Sequence, residues 1–126
     1  MRYMMFIIHE EVGREVTPPQ ALYDAMGEFV GAEMKSGRIV DTAGLKPTTV
    51  ATRIRSRHGK LTVTDGPFTE SKEIVGGYAL VEAKSHAEAN ELATKFAELH
   101  RVHWPAFDVT CEVRPLEDFD APPAGQ

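Results

Sequence analysis

Tyr3-Met-Met-Phe-Ile-Ile8 is an unbroken apolar run of strand length. A strand with one face in water alternates apolar and polar residues, so this run requires cover on both of its faces. A second run, Ile74 to Val81, has the same character, interrupted by Gly76 and Gly77, where a bulge or close backbone approach is expected. The sheet holding these two strands therefore needs a layer of helix on one side and a different cover on the other.

Two segments supply the helices. Thr17-Pro18-Pro19-Gln20 predicts a helix start, with Thr17 as N-cap, Pro18 at the first helical position and Gln20 closing a capping box. Leu22, Met26, Phe29 and Val30 follow at helical spacing, Gly37 is the stop, and Lys35 suits the negative end. Gly27 and Gly31, four apart, suggest close approach of another backbone. Ser85-His-Ala-Glu88 predicts the second start, and Ala89, Leu92, Ala93, Phe96 and Ala97 form its stripe. His100 to Phe107 reads as irregular, ending at Trp104-Pro105.

Ile39 to Leu45 reads as a short strand. Thr49 to Arg57 and Leu61 to Thr64 form a hairpin around His58-Gly59-Lys60. On it Arg53, Arg55 and Arg57 alternate with Thr52 and Ile54, and the basic side is expected to face solvent. Val109, Cys111 and Val113 alternate with polar residues as a half-buried last strand. The order is strand, helix, strand, hairpin, strand, helix, strand: an α+β, ferredoxin-like βαββαβ sandwich with an inserted β-hairpin. Two helices cover one face of such a sheet, so the apolar second face predicts a homodimer with sheets packed face to face. Residues 1–116 read as a single domain and 117–126 as a flexible acidic, Pro-rich tail.

Composition narrows the function classes. A chain of 126 residues, 42% apolar and 26% charged, is an ordinary globular domain, and its net charge of −5 argues against a general nucleic-acid binder. The N-terminal apolar run is too short for a signal peptide or a membrane span, and a single cysteine, Cys111, excludes an intrachain disulfide. A cytoplasmic protein without nucleic-acid or membrane partners is expected. His100 and His103 lie three apart, but no third ligand has convincing metal-site spacing and neither HExxH nor CxxC occurs. The paired glycines do not make GxGxxG, so neither a metal nor a nucleotide cofactor is expected.

The polar residues with most chemistry lie between the hairpin and the second apolar strand. Asp65-Gly66-Pro67-Phe68 is turn chemistry, followed by Thr69-Glu70-Ser71-Lys72-Glu73. Asp65 is either a turn residue accepting backbone N–H groups, or a carboxylate at a pocket mouth serving as base or histidine orienter. His9, at the end of the first strand, is the candidate proton carrier. Lys72 and Glu73 are candidates for binding a charged substrate, with Ser71, Phe68 and Tyr78 beside them; Ser71 lacks the setting of a nucleophile elbow. Phe68 and Tyr78 have a second reading, burial against a partner subunit.

Tyr3 to Ile8, DGPFTESKE (Asp65 to Glu73), Gly76-Gly77-Tyr78 and Glu112-Val-Arg-Pro-Leu116 together resemble the DGPF branch of the YCII-related proteins, over about residues 1–116. The resemblance implies a ferredoxin-like dimer of the dimeric α/β barrel type and, in the wider group, a catalytic His/Asp pair. Asp65 is the acid that resemblance points to, with His9 its partner by position alone. The chain is thus expected to be a small-molecule-binding dimer. Either it does general acid–base chemistry, of the isomerase or lyase kind, on a small polar or anionic metabolite, or it is a non-catalytic ligand-binding or regulatory interaction module.

Overall fold

In the computed structural model, residues 1–11, 17–68 and 72–117 are described. The elements are β1 (Arg2–Glu10), α1 (Gln20–Ser36), β2 (Ile39–Gly44), β3 (Thr52–Arg57), β4 (Lys60–Asp65), β5 (Glu73–Glu82), α2 (His86–His103) and β6 (Thr110–Pro115). A 3-10 turn, Thr48–Val50, precedes β3. Four strands make one antiparallel sheet in the order β2-β5-β1-β6, while β3 and β4 pair as a separate two-stranded sheet. This is the ferredoxin-like α+β arrangement, with the hairpin inserted between its second and third sheet strands.

The core sits between sheet and helices. Tyr3 and Met5 of β1, Ile39 of β2, and Ala79 and Val81 of β5 meet Ala89, Leu92, Ala93 and Phe96 of α2; Met26, Phe29 and Val30 of α1 pack against them. Because a strand alternates faces, Met4, Phe6 and Ile8 point the other way, opposite Leu80, Tyr78 and Val75 respectively. On that second face Met4, Phe6, Ile8, Tyr78 and Leu80 are half-buried.

Local details depart from the sequence reading in four places, each for a physical reason. Helix α1 begins at Gln20 with Pro19 at the N-cap and no side-chain cap; the Thr17 capping box does not form. A residue before proline is pushed out of the helical region, so Thr17 and Pro18 both stay outside. Helix α2 starts as expected, Ser85 Oγ accepting the Glu88 N–H at 3.2 Å, but runs through His103. Nothing breaks it before Pro105 pushes Trp104 out of the helix. Gly27 and Gly31 admit no backbone: a β-carbon at either meets nothing within 4 Å.

The hairpin is the fourth correction. Its two-residue turn has His58 at φ 50 and Gly59 at φ 76, the positive angles a tight hairpin favours. Its faces are reversed from expectation. Ile54, Val63 and Leu61 are 70%, 68% and 75% exposed, whereas Arg53 and Arg55 are half-buried. The Arg53 guanidinium lies 3.8 Å from the Phe68 ring centroid, and Phe68 is only 5% exposed. A long stem and a flat cation over an aromatic face let arginine be the inward residue.

Cys111 alternates inward on β6 and is a free, half-buried thiol. Burial pushes it from 9.0 to about 11. An acid raised on folding adds stability below its unfolded pKa, and that contribution drains as pH rises through the window from 9 to about 11. At pH 8 the folded thiol should react with a disulfide reagent roughly a hundredfold more slowly than the urea-unfolded chain, because only thiolate attacks. Equal rates in the two states would show that the thiol is not held by burial.

Candidate functional site

A cavity of about 750 Å³ lies between the sheet and the helices, walled by β1, α1, β2, β5, α2 and the turn after α2. Small residues leave the room. Gly27 contributes no side chain from α1, and Gly44, Gly76 and Gly77 contribute none from the sheet. Apolar walls come from Ile7, Met26, Val30, Ile74, Phe96 and Val109; His9, Glu11, Tyr23, Thr42, Lys46 and His100 supply polar groups.

Strand phase carries His9 to the helix side with Ile7. Its Nδ1 is 2.8 Å from the carbonyl oxygen of Glu10. A carbonyl only accepts, so Nδ1 carries a hydrogen, and in the neutral ring Nε2 is then the acceptor. The imidazole lies tilted against Phe107, centroids 5.2 Å apart, and Phe107 stacks on Trp104 at 4.2 Å and 9°. The ring rests on Gly76, where the β1–β5 register slips between Ile7 and Ile8. A β-carbon there would fall 2.2 Å from His9 Nε2. His9 and a side chain at 76 are mutually exclusive.

His100 projects from α2 and is 7% exposed. Its Nδ1–H is donated to the Phe96 carbonyl at 3.0 Å, and its ring lies 4.9 Å from the Phe96 ring. Glu11 accepts a hydrogen bond from the Thr48 hydroxyl, and its backbone N–H donates to the Lys72 carbonyl at 3.0 Å. Thr42 donates its hydroxyl to the Tyr78 carbonyl at 2.8 Å. Among the described residues no three His, Cys, Asp or Glu side chains form a group that could hold a metal. Nor is any helix among them long and apolar enough to cross a membrane.

Of the residues singled out in the sequence, His9 is in this wall. Asp65 ends β4, where its carboxylate accepts from Thr52 Oγ1 at 3.3 Å. Phe68 is buried under Arg53 at the hairpin base. Tyr78 is on the second sheet face, and its hydroxyl donates to Asp41 Oδ2 at 3.0 Å, a bond that raises its pKa. Glu73 is exposed at the start of β5, paired across from Glu10, and the Lys72 side chain is exposed. Ser71, with Thr69 and Glu70, lies outside the described residues. None of Asp65, Phe68, Lys72, Glu73 and Tyr78 is among the described walls. His100, considered in the sequence only with His103 as a metal pair, lies in the wall because its spacing extends the stripe of Ala89, Leu92, Ala93 and Phe96 by one turn.

A ferredoxin-like α+β chain with a histidine-lined cavity between sheet and helices is the class that fold and site define. The family model for the YCII-related domain matches residues 1–101, a span that holds both His9 and His100, and the chain belongs to that family. An uncharacterized protein of Rhizobium meliloti (strain 1021) is 35% identical over 83 residues, covering 66% of this chain and 63% of that relative's length.

Proposed function

We propose that the chain is a homodimeric small-molecule-binding protein whose cavity does general acid–base chemistry, of the isomerase or lyase kind, on a small polar metabolite, with His9 as the proton carrier. One observation carries this reading: two imidazoles line a single cavity, each with Nδ1–H fixed by a backbone carbonyl. An imidazole held in that tautomer offers Nε2 to a bound ligand, the atom through which a histidine does general acid–base work. The Glu10 carbonyl gives His9 the orientation that a carboxylate gives in a His/Asp pair. Asp65 then keeps the hairpin base through Thr52, and Phe68 packs beneath Arg53.

The test needs no prior substrate. Ligand-observed NMR against a library of small ketones and hydroxy compounds should find binders that Gly27→Phe eliminates, since position 27 faces open cavity space. For ketone binders in D2O, wild type should accelerate deuterium uptake beside the carbonyl, and His9→Ala should slow it about a hundredfold, within the usual range for a general base. Binders untouched by Gly27→Phe would place the ligand elsewhere. Binding without exchange would make the chain a non-catalytic module.

The dimer in this proposal uses the second sheet face, where Met4, Phe6, Ile8 and Leu80 gather. Sedimentation should give a dimer for wild type and a folded monomer for Phe6→Glu, because a charge there is desolvated without a partner. A wild-type monomer at micromolar concentration would remove the dimer from the reading.

A further inference from the structure

We infer that the cavity's ligand is a planar ring carrying a hydrogen-bond donor, a phenolic hydroxyl in its simplest form, and that His100 receives that hydrogen at Nε2. The inference rests on reading the cavity as a ligand site and adds the ligand's class.

A histidine buried in a core as filler uses both ring nitrogens or turns one to solvent. His100 gives only one of them to protein. Its Nδ1–H goes to the Phe96 carbonyl four residues back, and no described residue bonds Nε2. His100 is more than nine-tenths buried, yet among the described residues no side-chain nitrogen or oxygen is sealed away without a partner. Nε2 therefore keeps its access through the cavity that His100 lines.

His9 reaches the same cavity from the sheet layer with its hydrogen also on Nδ1. Each neutral imidazole so held presents an acceptor, which pairs with an O–H or N–H group and leaves an ether unbonded. The wall carries both the Glu11 carboxylate and the Lys46 ammonium, so its charges do not call for a carboxylate ligand. The ring follows from Trp104 and Phe107, two aromatic side chains in the same wall beside Phe96, surroundings that favour an aromatic ligand over an aliphatic one.

The probes are 2-naphthol and 2-methoxynaphthalene, which differ in the donor hydrogen, titrated into the full chain with histidine side chains followed by 15N NMR. In wild type the naphthol should bind at least tenfold more tightly than its methyl ether and shift the His100 Nε2 resonance, and in His100→Phe the two should bind equally. Equal wild-type affinities with His100 Nε2 unmoved would overturn the inference while leaving the cavity as a ligand site. Binding of neither naphthalene would overturn the inference, and the cavity reading would then stand or fall on the ketone binders that Gly27→Phe eliminates. The wild-type comparison stands whether or not His100→Phe folds.

Discussion

Gly66→Ala is expected to unfasten the β3–β4 hairpin from the chain that carries it. A β-carbon at position 66 would sit 1.7 Å from the Thr48 carbonyl oxygen and 2.8 Å from its carbon. Both are backbone atoms, so no rotamer change relieves the overlap. The same Thr48 oxygen accepts the Ala51 N–H at 3.0 Å, and Gly66 itself donates to the Ala51 carbonyl at 2.8 Å, so moving either segment breaks a hairpin-base hydrogen bond. Overpacking costs roughly 1–3 kcal/mol and a hydrogen bond about 1, giving an expected cost of about 2–4 kcal/mol. A two-stranded hairpin is marginal alone, so the strain is relieved most cheaply by local opening. Amide exchange within β3 and β4 should quicken by roughly two orders of magnitude, at 1.4 kcal/mol per decade, while the β1–β5 ladder keeps its protection. Unchanged hairpin exchange would show that this glycine is not an anchor.

The element order and the helix-covered sheet face were legible because periodicity reports burial directly. Tyr3 and Met5 are buried on the helix side, while Met4, Phe6 and Ile8 of the same run are half-buried on the other face. Capping at Ser85 was legible because its hydrogen bond is local. Errors came where two local rules compete. Thr17 has the side chain of an N-cap, but the consecutive prolines behind it restrict the backbone more strongly than the hydroxyl attracts it. At the hairpin, alternation announced two faces without saying which turns inward, and Phe68 under Arg53 decides that from fifteen residues away. The buried Glu33 is of the same kind. Arg38, beyond the Gly37 turn, holds it with bonds of 2.5 and 2.6 Å, a pairing invisible to a helical-stripe reading.

The cavity was less legible than the fold. The Asp65 turn concentrates side-chain chemistry in one stretch of sequence, whereas the described walls draw two to four residues from each of five elements, with others from the loops and the turn after α2. His9 was found because it ends an unmistakable strand. His100 stood out in sequence only as a metal candidate with His103, because the stretch from His100 to Phe107 reads as irregular, whereas a proline constrains only its immediate predecessor and the helix runs through His103. The glycines at 76 and 77 gave a real signal of close approach, but not of what approaches. One faces a side chain and the other faces backbone, and that difference can be tested.

Gly76→Ala should disable the site with little loss of stability, and Gly77→Ala should do the reverse. At position 76 the added carbon meets His9 Nε2 at 2.2 Å and Cδ2 at 2.5 Å, the outer edge of a side chain that can swing away. Swinging forfeits the bond to the Glu10 carbonyl and the contact with Phe107, a loss of about 1 kcal/mol. It also removes His9 from the orientation the proposed chemistry needs, so deuterium uptake should fall to the level of His9→Ala. At position 77 the added carbon lies 3.1 Å from the Ala43 carbonyl oxygen and 3.3 Å from Ile7 Cδ1. Central strands must part slightly, costing about 1–3 kcal/mol, with the His9 ring undisturbed. Histidine 15N spectra and urea unfolding of both variants separate the two effects. A double-mutant cycle then ties the first to its cause. With His9 already alanine, Gly76→Ala has nothing to displace, so its cost should vanish rather than add. A His9 resonance unmoved in Gly76→Ala, or an additive cycle, would show that this glycine is not kept for the imidazole.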